Sequence, residues 1–279
     1  MKKLYAVIGN PIAHSMSPVM HNDLFQHYDV DAHYHAFDIK SSDLADAVKG
    51  FRAIHLAGFN VTVPHKLAIM PLLDEVDPLA RSIGAVNTVV NQSGTLIGYN
   101  TDGSGFVNGL LSNVGSTHDK KVLIIGAGGA ARAIYFTLAH EGASRIDLTN
   151  RTIAKAEKLA SDCPYDVSTS VLSLEEAEKK LGEYEIVIQT SSIGMSPQIE
   201  CKPLSLHNLS KSAFVSDIIY NPLETQLLKE AREKGATTQN GIEMFVNQGA
   251  LAFEKWTSIK PDTNRMTTRV LKQLGGTQC

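Results

Sequence analysis

The sequence predicts an α/β protein of two domains, the second of which contains a doubly wound parallel sheet. Short apolar runs alternate with helical patterns along most of the chain. A glycine-rich turn joins one such run to an alanine-rich helical pattern near the middle. The 279 residues are enough for two hydrophobic cores.

Composition and charge exclude several classes of protein. The apolar fraction of 43% and the charged fraction of 20% are typical of a globular protein in water. A net charge of −3 gives no reason to expect binding to nucleic acid or to an anionic membrane. No apolar run approaches the roughly 18 residues of a spanning helix, and Leu4–Gly9 is interpreted as a first strand rather than a signal peptide.

Cysteine and histidine usage gives no sign of a metal site. Cys163, Cys201 and Cys279 are widely spaced without a CxxC pair, so we interpret them as free thiols in a reducing cytoplasm. The ten histidines are scattered without zinc-type spacing, and no metal is expected.

The first hundred residues contain four or five candidate strands with helical patterns between them. The strand patterns are Leu4–Gly9, His33–Ile39, Gly58–Val63, Thr88–Asn91 and Thr95–Tyr99, the last two joined by a hairpin signal at 92–94. The helical patterns are Pro18–Tyr28, Ser42–Ile54 and Lys66–Leu73. Ser17 before Pro18 resembles an N-cap, and Ser41 or Ser42 offers another.

The following residues alternate strand and helix in the manner of a doubly wound parallel sheet. The strand patterns are Lys121–Gly126, Ser144–Asn150, Glu185–Gln189 and Ala213–Ser216. The helical patterns are Ala130–Glu141, Thr152–Ser161, Leu174–Leu181 and Thr225–Lys234, the last ending at the C-cap signal Gly235. Two final helical patterns, from Gly241 to about Trp256 and Asn264–Leu274, are expected to fold back onto the first domain. The predicted domains are therefore 1–103 completed by 241–279, and 104–240.

The glycine-rich turn has the spacing Gly126-x-Gly128-x-x-Ala131 between a strand and a helix, which is the context of a dinucleotide-binding fingerprint. Gly126 permits the tight turn, Gly128 lets the backbone approach a pyrophosphate, and Ala131 lets helix and strand pack closely. The free N–H groups of the helix N-terminus favour phosphate. Glycines also occur at such junctions for packing alone, and that alternative stays open.

The end of the next strand favours NADP over NAD. NAD sites usually carry Asp or Glu there, but this strand ends in Asn150-Arg151-Thr152, and Asp147 lies three residues too early. Arg151 can pair with a 2′-phosphate and stack on adenine, and Lys155 adds a second positive charge. The alternative is a solvated Arg and Lys at a helix start.

Two ionisable residues outside this turn are candidates for catalysis. Lys66 follows a strand end, and a lysine whose pKa is tuned toward the operating pH acts as a general acid or base. A carboxylate at Asp102 beside Lys66 would hold the ammonium and favour its charged form. Considered alone, Lys66 is interpreted as an exposed lysine and Asp102 as the N-cap of a helix at Gly103–Leu111.

Neutral polar residues at strand ends and turns suit a polyhydroxylated ligand. They are Ser15, Ser17, Asn60, Thr62, Asn87 and Gln248. Each of them alone is more often a cap or turn residue.

At this point the sequence resembles the shikimate dehydrogenase family. The matching stretches are 9–18 (GNPIAHSMSP), 60–66 (NVTVPHK), 84–88 (GAVNT), 98–103 (GYNTDG), 126–130 (GAGGA), 150–152 (NRT), 217–222 (DIIYNP) and 241–248 (GIEMFVNQ). They follow the order of the family and span nearly the whole chain. The first two are long enough to make chance agreement negligible.

The resemblance implies reversible NADPH-dependent reduction of 3-dehydroshikimate to shikimate, a step in aromatic amino-acid synthesis. It implies a substrate domain completed by the C-terminal helices, with a Rossmann-type NADP domain between. Lys66 and Asp102 match the catalytic pair of the family. The matching substrate positions are Ser15, Ser17, Thr62, Asn87 and Gln248, with Asn60 nearby.

The resemblance also implies a set of cofactor positions. The matching positions are Gly126, Ala127, Gly128, Gly129, Ala130, Asn150, Arg151, Thr152 and Lys155, with Ile218, Tyr220 and Gly241 near the nicotinamide. Thr190 and Ser191 are weaker matches at a strand end.

Two other functions stay open at this stage. One is a quinate/shikimate dehydrogenase that uses NAD, against which Arg151 argues. The other is a non-catalytic NADP(H)-sensing protein on the same fold, against which the retention of Lys66 and Asp102 argues. A small-molecule substrate is the expected partner, and a homodimer is compatible with the sequence.

Overall fold

The structure, a computed structural model, describes residues 2–275 and divides into two compact units. The first unit contains the described chain up to Thr101 and from Val246 onward, and the second is Asp102–Phe245. The borders lie inside helices α4 (Thr101–Val114) and α9 (Ile242–Thr257). The borders expected from the sequence were near residues 103 and 241.

The first unit contains a six-stranded mixed sheet. Its strands are β1 (Lys3–Gly9), β2 (Ala32–Asp38), β3 (Gly58–Val61), β4 (Glu75–Val76), β5 (Thr88–Gln92) and β6 (Thr95–Tyr99). The strand order is β2-β1-β3-β5-β6-β4, and β1 is parallel to both of its neighbours. The predicted hairpin joins β5 to β6, and its two turn residues, Ser93 and Gly94, have φ of 53° and 100°. Positive φ at both positions is what a two-residue hairpin turn requires.

Helices pack on this sheet. They are α1 (Ser17–His27), α2 (Leu44–Ala53), α3 (Pro78–Ile83) and α10 (Thr263–Gln273), with 3₁₀ turns at Ser41–Asp43 and Met70–Leu72. The chain after Val246 contacts the sheet through Trp256, whose indole N–H donates to the carbonyl of Val89 at 3.0 Å. A Cβ at Gly58 would overlap the Trp256 ring, so only glycine permits this close contact.

Three predictions in the first unit were wrong. The Lys66–Leu73 segment is a series of turns and a 3₁₀ turn rather than an α-helix, because Pro71 lacks an N–H and disfavours helical geometry before it. Ser17 is the first residue of α1 and not its N-cap, which is Met16. Neither Ser41 nor Ser42 caps a helix with its side chain, and the Ser42 hydroxyl instead donates to Asp43 Oδ1 at 2.7 Å.

The second unit contains a six-stranded, wholly parallel sheet. Its strands are β7 (Lys121–Ile125), β8 (Arg145–Thr149), β9 (Val171–Leu172), β10 (Ile186–Gln189), β11 (Phe214–Asp217) and β12 (Thr237–Gln239). The strand order is β12-β11-β10-β7-β8-β9. The chain enters the sheet at the central strand β7, continues outward to β8 and β9, and then returns to β10 and continues outward on the other side, as in a doubly wound nucleotide-binding sheet. The predicted fold class is confirmed. The sequence analysis missed β4, β9 and β12, which are too short to show alternation.

Four helices follow the strands of this sheet. They are α5 (Gly129–His140), α6 (Ile153–Ser161), α7 (Leu174–Lys180) and α8 (Gln226–Glu233). The Thr225 hydroxyl caps the N-terminus of α8, and Gly235 follows its end with φ of 92°, as predicted. The prediction that Asp102 caps a helix was wrong, because α4 already begins at Thr101 and Asp102 lies in its first turn.

Each unit has its own hydrophobic core. In the first, Ala6, Ile8, Phe59, Val61 and Val89 of the sheet pack against residues of α2 and the following turns. In the second, Leu123, Val187 and Val215 of three adjacent strands pack against Leu227 and Leu228 of α8. Full burial of each such side chain contributes roughly 1.5–3 kcal/mol. Among the described residues, no helix has the length and apolar character needed to cross a membrane.

Candidate active site

The predicted catalytic lysine lies in a turn after β3 that is held from several sides. Thr62 N–H donates to the carbonyl of Ile8, and His65 N–H donates to the carbonyl of Thr62, both at 2.9 Å. The carbonyl of Lys66 accepts from Val86 N–H at 2.9 Å. These bonds fix the backbone of Thr62 and Lys66, whose side chains are half-buried.

The buried side chain of His65 holds the same turn in place. Its side chain is buried, and Nε2 lies 2.7 Å from the carbonyl of Ile39, to which a protonated Nε2 donates. The sequence analysis attached no role to His65. The histidine lies directly before Lys66, so this bond restricts the position of the lysine backbone.

Two asparagines of the predicted substrate set lie together at the ends of β3 and β5. Asn60 Nδ2 donates to the carbonyl of Asn87 at 3.2 Å and to Thr88 Oγ1 at 3.0 Å. Asn87 Oδ1 accepts from the backbone N–H of Thr101 at 2.7 Å, and Asn87 Nδ2 donates to Thr101 Oγ1 at 3.0 Å. All four residues are buried. Thr101 therefore has a fixed backbone, one residue before the predicted catalytic Asp102.

The two serines lie at the start of α1. Ser17 N–H is directed at Ser15 Oγ at a long 3.4 Å. Tyr34, on the neighbouring strand β2, donates its hydroxyl proton to Asn60 Oδ1 at 2.6 Å. Burial raises the pKa of Tyr34. Tyr34 was not among the predicted site residues, although the alternation along β2 places it on the buried face.

Gln248 lies on α9 and is half-buried. The next residue is Gly249, where a Cβ would overlap the end of the Met20 side chain on α1. Helix α9 thus approaches α1 closely beside Gln248. The first unit contains all the predicted substrate residues except Asp102, which belongs to the second unit with the predicted cofactor residues.

The glycine-rich turn between β7 and α5 has the geometry that a pyrophosphate needs. Gly126 has φ of 122°, and a Cβ there would overlap the Thr190 hydroxyl. A Cβ at Gly128 or Gly129 would meet no atom of the described residues within 4 Å, so the backbone is open to a ligand. Helix α5 begins at Gly129 without a side-chain cap. Its first N–H groups are therefore available to phosphate, which fits a dinucleotide.

The end of β8 carries positive charge and no carboxylate. Arg151 and Lys155 are exposed. Asn150 Nδ2 donates to the carbonyl of Thr152 at 2.8 Å, and this bond shapes the loop that contains Arg151. Asp147 is buried within the strand.

The carboxylate of Asp147 is occupied inside the second unit. Its Oδ2 accepts from the Tyr184 hydroxyl at 2.8 Å, and its Oδ1 accepts from Ser170 N–H at 3.1 Å. Asp147 is thus a core residue rather than a ligand of a ribose hydroxyl. The described geometry suits a 2′-phosphate better than a free 2′-hydroxyl.

Thr190 and Ser191 shape the end of β10. The Thr190 hydroxyl donates to the carbonyl of Ile125 at 2.7 Å, directly before Gly126. The Ser191 hydroxyl accepts from Gln189 Nε2 at 2.9 Å and from Ile193 N–H at 3.2 Å. Both side chains are therefore hydrogen-bonded to the protein around the end of β10.

The positions predicted near the nicotinamide follow β11. Gly241 N–H donates to the carbonyl of Ile219 at 2.9 Å, and a Cβ at Gly241 would overlap the carbonyl of Ile218. Tyr220 lies with its ring 5.5 Å from that of Phe245, and burial raises its pKa. The close backbone approach requires glycine at 241.

Asp217, which the sequence analysis did not assign a role, holds this loop. Its Oδ1 accepts from Ile219 N–H at 3.0 Å, and its Oδ2 accepts from the Thr225 hydroxyl at 2.8 Å. Burial raises the pKa of Asp217 to about 6, against the opposing effect of these bonds. Within residues 2–275, no group of three or more His, Cys, Asp or Glu side chains could hold a metal ion.

Comparison with known proteins finds matches along most of the chain. Residues 7–89 match the shikimate dehydrogenase substrate binding domain, 110–220 match shikimate / quinate 5-dehydrogenase, and 241–271 match the shikimate 5′-dehydrogenase C-terminal domain. A shikimate dehydrogenase (NADP(+)) of Bacillus cereus strain AH820 is 57% identical over 277 residues, which are 99% of this chain and 100% of the relative.

Solved structures show the same fold at high similarity. Shikimate 5-dehydrogenase from Listeria monocytogenes, in complex with shikimate and NAD, is 38% identical with a TM-score of 0.91, covering 96% of each chain. Shikimate 5-dehydrogenase from Thermus thermophilus, in complex with NADP(H) and shikimate, is 34% identical with a TM-score of 0.87, covering 97% of this chain and 99% of the other. The matches to the family models and the identity over almost the whole chain show that this protein belongs to the shikimate dehydrogenase family.

Proposed function

We propose that this protein catalyses the reversible reduction of 3-dehydroshikimate to shikimate with NADPH. The observation that carries the proposal is the 57% identity, over 99% of the chain, to a relative named shikimate dehydrogenase (NADP(+)). Identity at this level over both units supports the same reaction on the same fold. The protein is thus an NADP-dependent oxidoreductase that acts on a CH–OH group.

Lys66 is the proposed general acid and base. The bound nicotinamide supplies or accepts the hydride at the carbon that carries the reacting oxygen. In the reduction Lys66 gives a proton to that oxygen, and in the oxidation it takes the proton back. Asp102 is the second proposed catalytic residue and binds a substrate hydroxyl.

The first unit is the proposed substrate-binding domain and the second the NADP-binding domain. Ser15, Ser17, Thr62, Asn87 and Gln248 are proposed to hold the carboxylate and hydroxyls of the substrate. The half-buried or buried positions of these side chains support this role, because hydrogen bonds gain strength where water is excluded.

The cofactor side of the proposal rests on charge and backbone geometry. Gly126–Ala130 and the N-terminus of α5 receive the pyrophosphate, and Arg151 with Lys155 receives the 2′-phosphate. Asn150 and Thr152 shape the loop that contains Arg151. Thr190 and Ser191 lie beside the glycine-rich turn. Ile218, Tyr220 and Gly241 border the nicotinamide.

The biological setting is proposed from the chemistry. A small-molecule substrate and NADP(H) are the proposed partners, in the cytoplasm, with neither nucleic acid nor a membrane involved. A homodimer is the proposed assembly, and the mass of the protein in solution tests it.

The test is an absorbance assay of NADPH formation with shikimate and NADP⁺, repeated with quinate and with NAD⁺. The proposal expects the highest kcat/KM for shikimate with NADP⁺. A higher value for quinate with NAD⁺ would support the quinate/shikimate alternative. Binding of NADPH without turnover of either substrate would instead support a non-catalytic sensor.

A further inference from the structure

The hydroxyl of Tyr34 holds one of the proposed substrate residues. Its side chain is 1% exposed on β2, and its hydroxyl donates to Asn60 Oδ1 at 2.6 Å. An amide oxygen only accepts, so this bond uses the one proton of the phenol and fixes which end of the Asn60 amide faces Tyr34.

The hydrogen bonds continue from Asn60 to Asn87. With Oδ1 of Asn60 accepting from Tyr34, its Nδ2 must point the other way, where it donates to Thr88 Oγ1 at 3.0 Å and to the carbonyl of Asn87 at 3.2 Å. The Thr88 hydroxyl then has two partners, Asn87 Oδ1 and Thr101 Oγ1, each at 3.1 Å. The hydrogen bonds thus connect Tyr34 through Asn60 and Thr88 to Asn87 and Thr101.

These hydrogen bonds decide which polar group of Asn87 is left to bind a ligand. Its Oδ1 accepts from Thr88 and from Thr101 N–H, and one N–H of its Nδ2 donates to Thr101 Oγ1 at 3.0 Å. The other N–H has no partner among the described residues, and an amide N–H suits a substrate hydroxyl. Both N–H groups of Asn60, in contrast, are already bonded to the protein.

The ring of Tyr34 is held as firmly as its hydroxyl. The His21 ring stacks on it at 4.6 Å between centroids with 22° between planes. The Asn22 side chain bonds both the N–H and the carbonyl of Tyr34 at 2.9 Å. A hydroxyl fixed in this way can orient its partners without further ordering on substrate binding.

We propose that Tyr34 is a positioning residue for substrate: its hydroxyl fixes the Asn60 amide, which together with Thr88 holds Asn87 so that one N–H of Asn87 is directed at a substrate hydroxyl. The inference rests on the proposed function and deepens it. It makes Asn60 a residue that acts through Asn87 rather than a direct ligand.

The test compares Tyr34→Phe with the matched control Tyr5→Phe. Tyr5 is also buried in the first unit, with its ring 5.1 Å from Trp256, and its hydroxyl bonds no described residue. Tyr34→Phe leaves the buried Asn60 Oδ1 without its partner, so kcat/KM for shikimate should fall about 5- to 100-fold. The KM for NADP⁺ should stay within about twofold, because no atom of the hydrogen-bond chain belongs to the nucleotide turn. Tyr5→Phe should change neither kcat/KM for shikimate nor the KM for NADP⁺.

A merely structural role for Tyr34 gives a different result. It would lower the unfolding temperature without a selective effect on shikimate, and an unchanged kcat/KM for shikimate would overturn the proposal. A double-mutant cycle adds an independent measurement: Tyr34→Phe and Asn60→Ala should be less than additive in kcat/KM, because both interrupt one chain. Full additivity would also overturn it.

Loss of the proposed function is recognised separately. If wild type and Tyr5→Phe both fail to oxidise shikimate with NADP⁺, the proposed function falls and the role of Tyr34 falls with it. If both turn over normally while Tyr34→Phe is also normal, only the role of Tyr34 falls.

Discussion

The Thr190 hydroxyl lies against the α-carbon of Gly126, at the point where β7 turns toward α5. Thr190 donates to the carbonyl of Ile125 at 2.7 Å, and a Cβ on Gly126 would overlap its oxygen. Gly126 also has φ of 122°, a backbone angle that residues other than glycine rarely adopt. The turn that faces the proposed pyrophosphate is therefore formed by strands β7 and β10 together.

Gly126→Ala should unfold more easily, whereas Gly128→Ala should not. At 126 the strained backbone and the overlap with Thr190 should lower the free energy of unfolding by roughly 1–3 kcal/mol. Gly128 has φ of −91° and open space around it, so Gly128→Ala should change stability by less than about 1 kcal/mol. Its methyl group should instead raise the KM for NADPH, since it occupies the path of the pyrophosphate. Thermal unfolding without cofactor and steady-state kinetics measure the two effects, and equal stability losses would contradict this reasoning.

Lys66→Ala should lower kcat for shikimate oxidation by roughly 10²–10⁴-fold, because the proton of the reacting hydroxyl loses its acceptor. The KM for NADP⁺ should change little, as Lys66 belongs to the first unit. Lys49→Ala is the matched control: Lys49 is an exposed lysine of the same unit, paired with Asp46 at 3.0 Å. A nearly normal kcat in Lys66→Ala would remove the lysine from the mechanism.

Arg151→Ala should weaken use of NADP⁺ selectively. A charge-assisted hydrogen bond to phosphate is worth roughly 1.5–3 kcal/mol, so kcat/KM for NADP⁺ should fall about 10- to 100-fold. The value for NAD⁺, which has no 2′-phosphate, should stay within about twofold. Arg232→Ala, which removes an exposed arginine paired with Glu224 at 2.9 Å, should affect neither cofactor. Equal losses with both cofactors would show that Arg151 does not contact the 2′-phosphate.

His21 should make the protein sensitive to acid. Its ring is wholly buried against Tyr34 and Trp256, and burial lowers its pKa from 6.5 to about 3. Between these values the unfolded chain binds a proton at His21 and the folded protein does not. The free energy of unfolding therefore falls as pH falls through this range, by up to about 1.4 kcal/mol per pH unit.

The measurement is denaturant unfolding from pH 7 to pH 4 for wild type, His21→Phe and the exposed control His33→Gln. His21→Phe should show a shallower loss of stability on acidification, and His33→Gln should follow wild type. A slope in His21→Phe equal to that of wild type would mean that His21 does not stay neutral in the folded protein.

Local patterns predicted most of the secondary structure because those patterns are set by neighbouring residues. The nine predicted strands, the helix that follows Gly128 and the hairpin at Ser93–Gly94 agree with the structure to within a few residues. The predicted helix at 66–73 is absent because Pro71 interrupts it, although the apolar residues of the segment follow a helical pattern. Short α3 was missed, although Asp77 caps it by accepting from Leu79 N–H at 3.1 Å.

By itself the sequence determined the α/β class, the nucleotide turn at Gly126–Ala131 and the positive charge at Arg151, because these depend on residues adjacent along the chain. The tertiary structure alone decided which polar groups are already occupied. Tyr34 and Asn60 are 26 residues apart, and Asp147 and Tyr184 are 37 residues apart, yet each pair is hydrogen-bonded in a buried core. A hydrogen bond between such distant positions depends on strand order and side-chain direction, for which a single sequence has no local signal.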